Sequence, residues 1–338
     1  MHELRHEVKQ IDRIRIAHLP TVVEELPNLT TQLGGPQLLI KRDDLTGLAF
    51  GGNKIRKLEF LVADAKKNNA KMVITAGAAQ SNHCRQTAAV AARVGLKCTL
   101  VLSYPFSEKT PPECGIHESG NLLLDELLGA EIVWHQPGKR DQVLQETFEA
   151  AKKAKKSPYL IPYGGSNKIG ALAYAFAIQE LLEQQIDVDW IVFPSSSGGT
   201  QAGMILGARL FGFKGKVLGI SVDEPSDVLQ QRIAKLASEA AKKLGEKVTF
   251  SPDEVLVNSD YIGGGYGVMS SLERDAIHLL AKSEGLFLDP VYTGRAMAGL
   301  LDLIQKGFFG DHDQRILFWH TGGTPALFAD QYHDYLLV

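Results

Sequence analysis

Lys54 stands behind two glycines and an asparagine in Phe50-Gly51-Gly52-Asn53-Lys54-Ile55-Arg56-Lys57-Leu58-Glu59, and an amphipathic pattern of Ile55, Leu58, Leu61, Val62 and Ala65 starts at once. Glycine lets the backbone turn tightly, so the spacing predicts a lysine held at the mouth of a helix. An amine held there can condense with a carbonyl cofactor. Lys57, one turn further on, can reach a phosphate near the same helix N-terminus. An aldehyde and a phosphate on one small ligand point to pyridoxal phosphate. Taken alone, the segment also fits a loop and a surface helix with solvated lysines.

Three further turns follow strand-like runs, where open α/β sheets bind their ligands. Ser195-Ser196-Ser197-Gly198-Gly199-Thr200-Gln201-Ala202-Gly203 follows Trp190 to Phe193. Its small residues let N–H groups converge at a helix start, which suits a phosphate, although such turns are as often merely tight. No GxxxxGK[ST] is present, and no GxGxxG follows a strand with an acidic partner, so nucleotides and dinucleotides lose ground. Gly77-Ala78-Ala79-Gln80-Ser81-Asn82-His83 offers donors for a carboxylate, while Ser81 and Asn82 are also good helix caps. His320-Thr321-Gly322-Gly323-Thr324-Pro325 is the third turn. Tyr266 and Tyr292 add polar tips in glycine-rich surroundings, or are simply packed aromatics. His83 and His320 have no partner at metal-ligand spacing, so no metal is expected. Arg42-Asp43-Asp44 is read as structural, because adjacent residues on an extended segment point opposite ways.

The elements that must position these residues alternate along the chain. Met72 to Thr75, Cys98 to Leu102, Glu131 to Trp134, Trp190 to Phe193, Val217 to Val222 and Arg315 to Trp319 read as strands, several of them nearly all apolar. Helical patterns run from Asn82 to Val94, Thr200 to Leu210 and Leu272 to Ser283, the last behind Ser270 and Glu273 at capping-box spacing. The fold class expected is α/β, with two open twisted parallel sheets carrying helices on both faces. Pro162, Gly164 and Gly165 mark a crossing between domains. A small inserted domain of residues 55–163 then sits within a larger one built from residues 1–54 and 164–338. Ser103 to Ser119, with Pro105, Pro111 and Pro112, is the one loop that looks long, and no repeat or low-complexity segment is expected.

At 338 residues and 44% hydrophobic, the chain can bury one large core or two moderate ones. A formal net charge of -3 offers no field for nucleic acid and favours a small-molecule ligand. Cys84, Cys98 and Cys114 lack CxxC spacing, which argues against a disulfide framework and for a reducing compartment. The start, Met1-His2-Glu3-Leu4-Arg5-His6, has no apolar run behind it, so a cytoplasmic protein without a membrane span is expected.

Together these segments resemble one family: the fold-type II pyridoxal phosphate enzymes of the tryptophan synthase β-like group, in the branch of D-cysteine desulfhydrase and aminocyclopropane-carboxylate deaminase. The similarity includes Lys41 to Asp44, Gly51 to Glu59, Gln80 to His83, Gly198 to Gly203, Asp289-Pro290-Val291-Tyr292-Thr293-Gly294 and His320 to Gly323. By this resemblance Lys54 is the Schiff-base lysine, and Lys57 with Ser197, Gly198, Gly199 and Thr200 holds the phosphate. Asn82 faces the phenolic oxygen, Ser81 and His83 border the substrate carboxylate, and Tyr266 and Tyr292 flank the substrate. Thr293 stands where the deaminases carry a glutamate that keeps the pyridine nitrogen protonated. A neutral threonine favours β-elimination from D-cysteine to hydrogen sulfide, pyruvate and ammonia. The alternatives are a lyase for L-cysteate, D-serine or a chloroalanine, the deaminase itself, and, from another class, a non-catalytic binding protein. The resemblance also implies a homodimer.

Overall fold

The computed structural model describes residues 9–104, 119–310 and 313–337. In chain order the elements are β1 (Val23–Glu25), α1 (Pro27–Leu33), β2 (Gln37–Arg42), α2 (Asn53–Lys67), β3 (Met72–Ala78), α3 (Asn82–Val94) and β4 (Lys97–Ser103). Then come α4 (Gly120–Leu127), β5 (Glu131–His135), α5 (Arg140–Lys153), β6 (Pro158–Leu160), α6 (Leu172–Glu183), β7 (Trp190–Ser195) and α7 (Gly199–Phe211). The chain closes with β8 (Lys216–Ser221), α8 (Ser226–Leu244), β9 (Leu256–Asn258), α9 (Ser271–Glu284), α10 (Thr293–Gln305), β10 (Arg315–His320) and α11 (Asp330–Leu336).

Two sheets result. One has the order β1-β2-β10-β7-β8-β9 and the other β5-β4-β3-β6. Every pairing is parallel except that of β1, which lies antiparallel to β2 at an edge. Strand alternation sorts the larger sheet's residues between two cores. Leu39, Ile191, Phe193, Leu317 and Trp319 face one, and Leu38, Ile40, Val192, Ile316 and Phe318 the other. The smaller sheet does the same: Val73, Leu100 and Leu102 join the first core, while Met72, Ile74, Ala76 and Val101 form a third. One contiguous core therefore ties the two sheets together. The six expected strands and three expected helices are present, and Ser270 and Glu273 close the capping box at α9. Residues 259–270 form a long irregular segment, of which the sequence analysis noted only the glycine-rich surroundings of Tyr266. Arg295 holds it by donating to the carbonyls of Gly265 at 3.0 Å and Val268 at 2.6 Å. Most of the Ser103 to Ser119 loop, with Cys114, lies outside the described residues, as does the start of the chain; Cys84 and Cys98 are free and buried.

A buried charge network fixes α2 against β2 and α6. Arg56 grips Asp43 through Nε at 2.9 Å and a terminal nitrogen at 2.8 Å, and its other nitrogen reaches Glu180 at 2.8 Å. Lys41 donates to Glu180 at 2.7 Å, Gln184 at 2.6 Å and the carbonyl of Thr21 at 2.7 Å. Tyr174 donates to Asp43 at 2.5 Å. Burial alone would raise the Asp43 pKa, but the adjoining Arg56 guanidinium holds it below the usual carboxylate range. Asp44 turns the other way, onto Arg42 at 2.7 Å. Removing one partner from such a buried set leaves an uncompensated charge. Asp43→Ala should therefore lower stability by about 3–5 kcal/mol, read as a shifted urea midpoint. A loss below about 1 kcal/mol would mean that the network does not hold α2.

Candidate active site

The carboxyl ends of β3, β6, β7 and β10 open onto one cavity, lined among others by Lys54, Ser81, Asn82, His83, Tyr163, Ser195, Ser197, Gly198, Thr200, Tyr292 and Thr321. Its position beyond the strand ends is where open α/β sheets bind small ligands. Lys54 lies at the start of α2, partly buried, with Nζ donating to Asn53 Oδ1 at 2.8 Å and 5.9 Å above the Tyr292 ring. Burial pushes this amine down to about 8 against the pull of Asp289, and the Arg85 cation adds to the lowering. About a tenth is therefore free base at pH 7, far more than for an ordinary lysine.

The tight turn before Lys54 is made by Gly52, at φ +121°, where a Cβ would lie 2.6 Å from Gln86 Nε2. The first N–H groups of α2 are already satisfied: Gln86 Oε1 accepts from Lys54 at 3.0 Å and from Ile55 at 3.1 Å, and the Thr321 carbonyl accepts from Asn53 at 2.9 Å. The first turn of α2 therefore offers an anion few free N–H groups, and the start of α7 offers more.

Gly198 begins that turn at φ +82° and, being glycine, supplies no capping side chain of its own. Ser166 Oγ accepts from Gly199 N at 3.1 Å and shares a hydrogen bond with Ser197 Oγ at 2.8 Å. Ser195 Oγ is buried without a partner. Thr200 Oγ1 accepts from Asn53 Nδ2 at 3.1 Å, which links the cup to Lys54 through a single asparagine. Lys57 is buried behind the cup, 3.2 Å from the Gly164 carbonyl and 3.4 Å from Ser166 Oγ, and is absent from the cavity wall. Burial, then the charge of Lys54, pushes its pKa well below the ordinary lysine value. A helix start with hydroxyls, an amine across the cavity and a buried lysine lacking a counter-anion fit the phosphate and aldehyde of pyridoxal phosphate.

On the opposite wall, Ser81 Oγ caps α3 by accepting from Cys84 N at 3.2 Å. His83 Nε2 is 2.8 Å from Thr75 Oγ1, which itself donates to the Ile161 carbonyl. Thr75 has no second hydrogen, so Nε2 carries the imidazole proton, and Nδ1 finds no partner. Burial pushes His83 well below the usual histidine range. Tyr266 and Tyr292 share a hydrogen bond at 2.7 Å, and burial raises both phenols well above their ordinary value. Tyr292 lines the cavity, whereas Tyr266 sits behind it. Thr293 is fully buried, donating to Asp289 Oδ1 at 2.8 Å and accepting from Asp289 N at 2.7 Å, and is likewise absent from the wall. Sequence reasoning missed Asn53, Gln86, Tyr163 and Ser166 as site residues. The last two lie in a Gly-Gly turn that obeys the same strand-end rule, but β6 has only three residues and shows no period.

Covalent uptake of pyridoxal phosphate by the cofactor-free chain, trapped with borohydride, should quicken with pH and level off above about 8, and Lys54→Ala should trap none. A rate that stays flat between about pH 6 and pH 9 would exclude the lowered Lys54 amine as the reacting group.

Residues 14–322 match the model of a family described as pyridoxal-phosphate dependent enzyme. The chain is 41% identical over 337 residues, 98% of both sequences, to a D-cysteine desulfhydrase of Yersinia enterocolitica serotype O:8 / biotype 1B. A crystal structure of an aminocyclopropane-carboxylate (ACC) deaminase homologue superposes with a TM-score of 0.87 at 37% identity, covering 97% of this chain and 96% of that one. Among the described residues no helix is long and apolar enough to cross a membrane, and no group of three or more His, Cys, Asp or Glu side chains is placed to hold a metal ion. With the buried amine, the glycine turn and the family match all converging on one cavity, the chain belongs to the pyridoxal-phosphate dependent enzymes, with the fold-type II architecture.

Proposed function

We propose that this enzyme is a lyase that converts D-cysteine and water to hydrogen sulfide, pyruvate and ammonia. The observation that carries the reading is the 41% identity, spread over 98% of both chains, to a protein bearing the name D-cysteine desulfhydrase. Bound pyridoxal phosphate supplies an electron sink that makes the α-proton of an amino acid removable. Lys54 would hold the aldehyde carbon of the cofactor, and its amine, once released, would be the base that takes the α-proton of the bound amino acid. The turn from Ser197 to Thr200 binds the phosphate, with Lys57 supplying charge from behind Ser166. Asn82 donates to the phenolic oxygen. Ser81 and His83 receive the substrate carboxylate, and Tyr292, braced by Tyr266, flanks the substrate. Thr293 is assigned to the pyridine nitrogen. Its hydroxyl is neutral, and the electron sink is weaker than with a glutamate, whose charge would hold a proton on that nitrogen.

Under this reading residues 1–54 and 164–338 form the cofactor domain and residues 55–163 a small inserted domain. The enzyme works as a cytoplasmic homodimer. The likeness to an ACC deaminase homologue favours that deaminase as the second reading, and L-cysteate, D-serine and chloroalanine remain rival substrates on the same scaffold.

A panel of D-cysteine, L-cysteine, L-cysteate, D-serine, chloroalanine and aminocyclopropane carboxylate separates these readings, with sulfide, sulfite, pyruvate and oxobutyrate scored. Sulfide and pyruvate in equal amounts, preferentially from D-cysteine and abolished by Lys54→Ala, is the expected outcome. Oxobutyrate from the cyclopropane as the dominant product would overturn the assignment.

A further inference from the structure

We infer that Asn121, at the start of α4, is a positioning residue that locks the Asn82 side-chain amide with its NH₂ directed into the cofactor cavity. The chain of reasoning begins at a main-chain carbonyl. Asn121 Nδ2 is 2.9 Å from the Gln80 carbonyl oxygen and 2.9 Å from Asn82 Oδ1. A carbonyl oxygen only accepts, so the Asn121 amide must present its nitrogen there. Both hydrogens of that nitrogen are then committed, and the Asn82 atom facing it must be the acceptor, Oδ1. The Asn82 nitrogen is left facing the other way. Asn82 lines the cavity, and its Nδ2 lies on the side of Gly323, where an added Cβ would come within 2.9 Å of it.

A second latch of the same kind fixes Asn121 itself. Gln80 Nε2 donates to the Ser119 carbonyl at 2.9 Å, which orients that amide, and Gln80 Oε1 accepts from Asn121 N at 2.8 Å. Gly120 passes so close to Gln80 that a Cβ there would collide with Oε1. Asn121 and Asn82 are buried, so no solvent competes for these bonds. The orientation of a cavity amide is thus set by one acceptor-only carbonyl, that of Gln80, relayed through the Asn121 amide, while the Gln80 side chain holds the Asn121 main chain in place.

The inference rests on the cofactor assignment and on Asn82 meeting the phenolic oxygen, but not on the identity of the substrate. Asn121→Asp replaces the donor by an acceptor, so Asn82 should turn over and present Oδ1 to the cavity. Loss of a donor to an anionic oxygen should raise the midpoint of the pH titration of the resting enzyme's visible absorption by about one pH unit. Asn121→Ala, which leaves the amide unclamped, should move it in the same direction by less. In an Asn82→Ala background, Asn121→Asp should produce no further shift, because the relay has lost its last member. Unchanged midpoints in both Asn121 variants, or an equal shift with and without Asn82, would overturn the inference. Circular dichroism and thermal midpoints establish that each variant is folded. The readout uses no substrate, so a wild-type enzyme that fails with D-cysteine yet shows these shifts defeats the proposed substrate and leaves the positioning role standing.

Discussion

Everything in this molecule turns on two lysines one helical turn apart, Lys54 and Lys57, that the fold withdraws from water without giving either a carboxylate in ion-pair contact among the described residues. Hydration lost by a buried ammonium costs several kcal/mol unless a counter-charge replaces it. The cavity is what the chain offers instead. Under the proposed roles, an aldehyde condensing with Lys54 would give that amine a covalent partner, and a phosphate at the start of α7 would give Lys57 an anion. Cofactor binding would then be coupled to folding, because the native cavity is the place where both deficits would be met at once.

The remaining buried cations show that this deficit is selective. Lys41, Arg56 and Arg295 are as deeply buried, yet each is fully engaged: Lys41 by Glu180, Arg56 by Asp43 and Glu180, and Arg295 by Glu273 and three carbonyls. Those three weld elements together. Arg85 belongs with the lysines, because only one of its terminal nitrogens is bonded, to the Gly51 carbonyl at 2.8 Å, while Nε and the other are unpartnered. Its position couples the turn before Lys54 to α3, and its charge helps keep the lysine amine unprotonated. Full pairing marks the frame, and incomplete pairing marks the place where chemistry enters.

What the sequence revealed of this arrangement divides along a physical line. The turn at Gly52, the glycine-rich start of α7 and the Ser81 cap are made by neighbours in the chain, so local rules found them. Six of the seven strands longer than three residues were also readable, since strands covered on both faces are continuous apolar runs. By contrast β6 and β9 have three residues each, too few for any period, and Lys41 and Arg42 give the end of β2 a polar look that only the distant Glu180 explains. Gln86 meets Lys54 across 32 positions, Asn121 meets Asn82 across 39, and Asn53 meets Thr200 across 147. Such partners are set by how the sheets pack. The capping of the first N–H groups of α2 by Gln86 belongs to the same class, because α3 brings that side chain there.

The protonation states around the cavity narrow the proposed chemistry further. A base that removes an α-proton must be unprotonated near neutral pH and must be able to carry the proton afterwards. Tyr266 and Tyr292 fail the first condition, since burial holds both phenols in their neutral form and each is tied to the other. His83 meets the first but not the second, because burial and the charges of Lys54 and Lys57 all oppose an imidazolium there. Ser81 is committed as an acceptor to the first turn of α3. Lys54 fits best of these: with a pKa of about 8 it keeps a minority of free base at neutral pH, while Asp289 favours the ammonium once it forms. The tyrosines and the histidine are thereby left to what neutral donors and acceptors do well, which is to orient a substrate without competing for its proton.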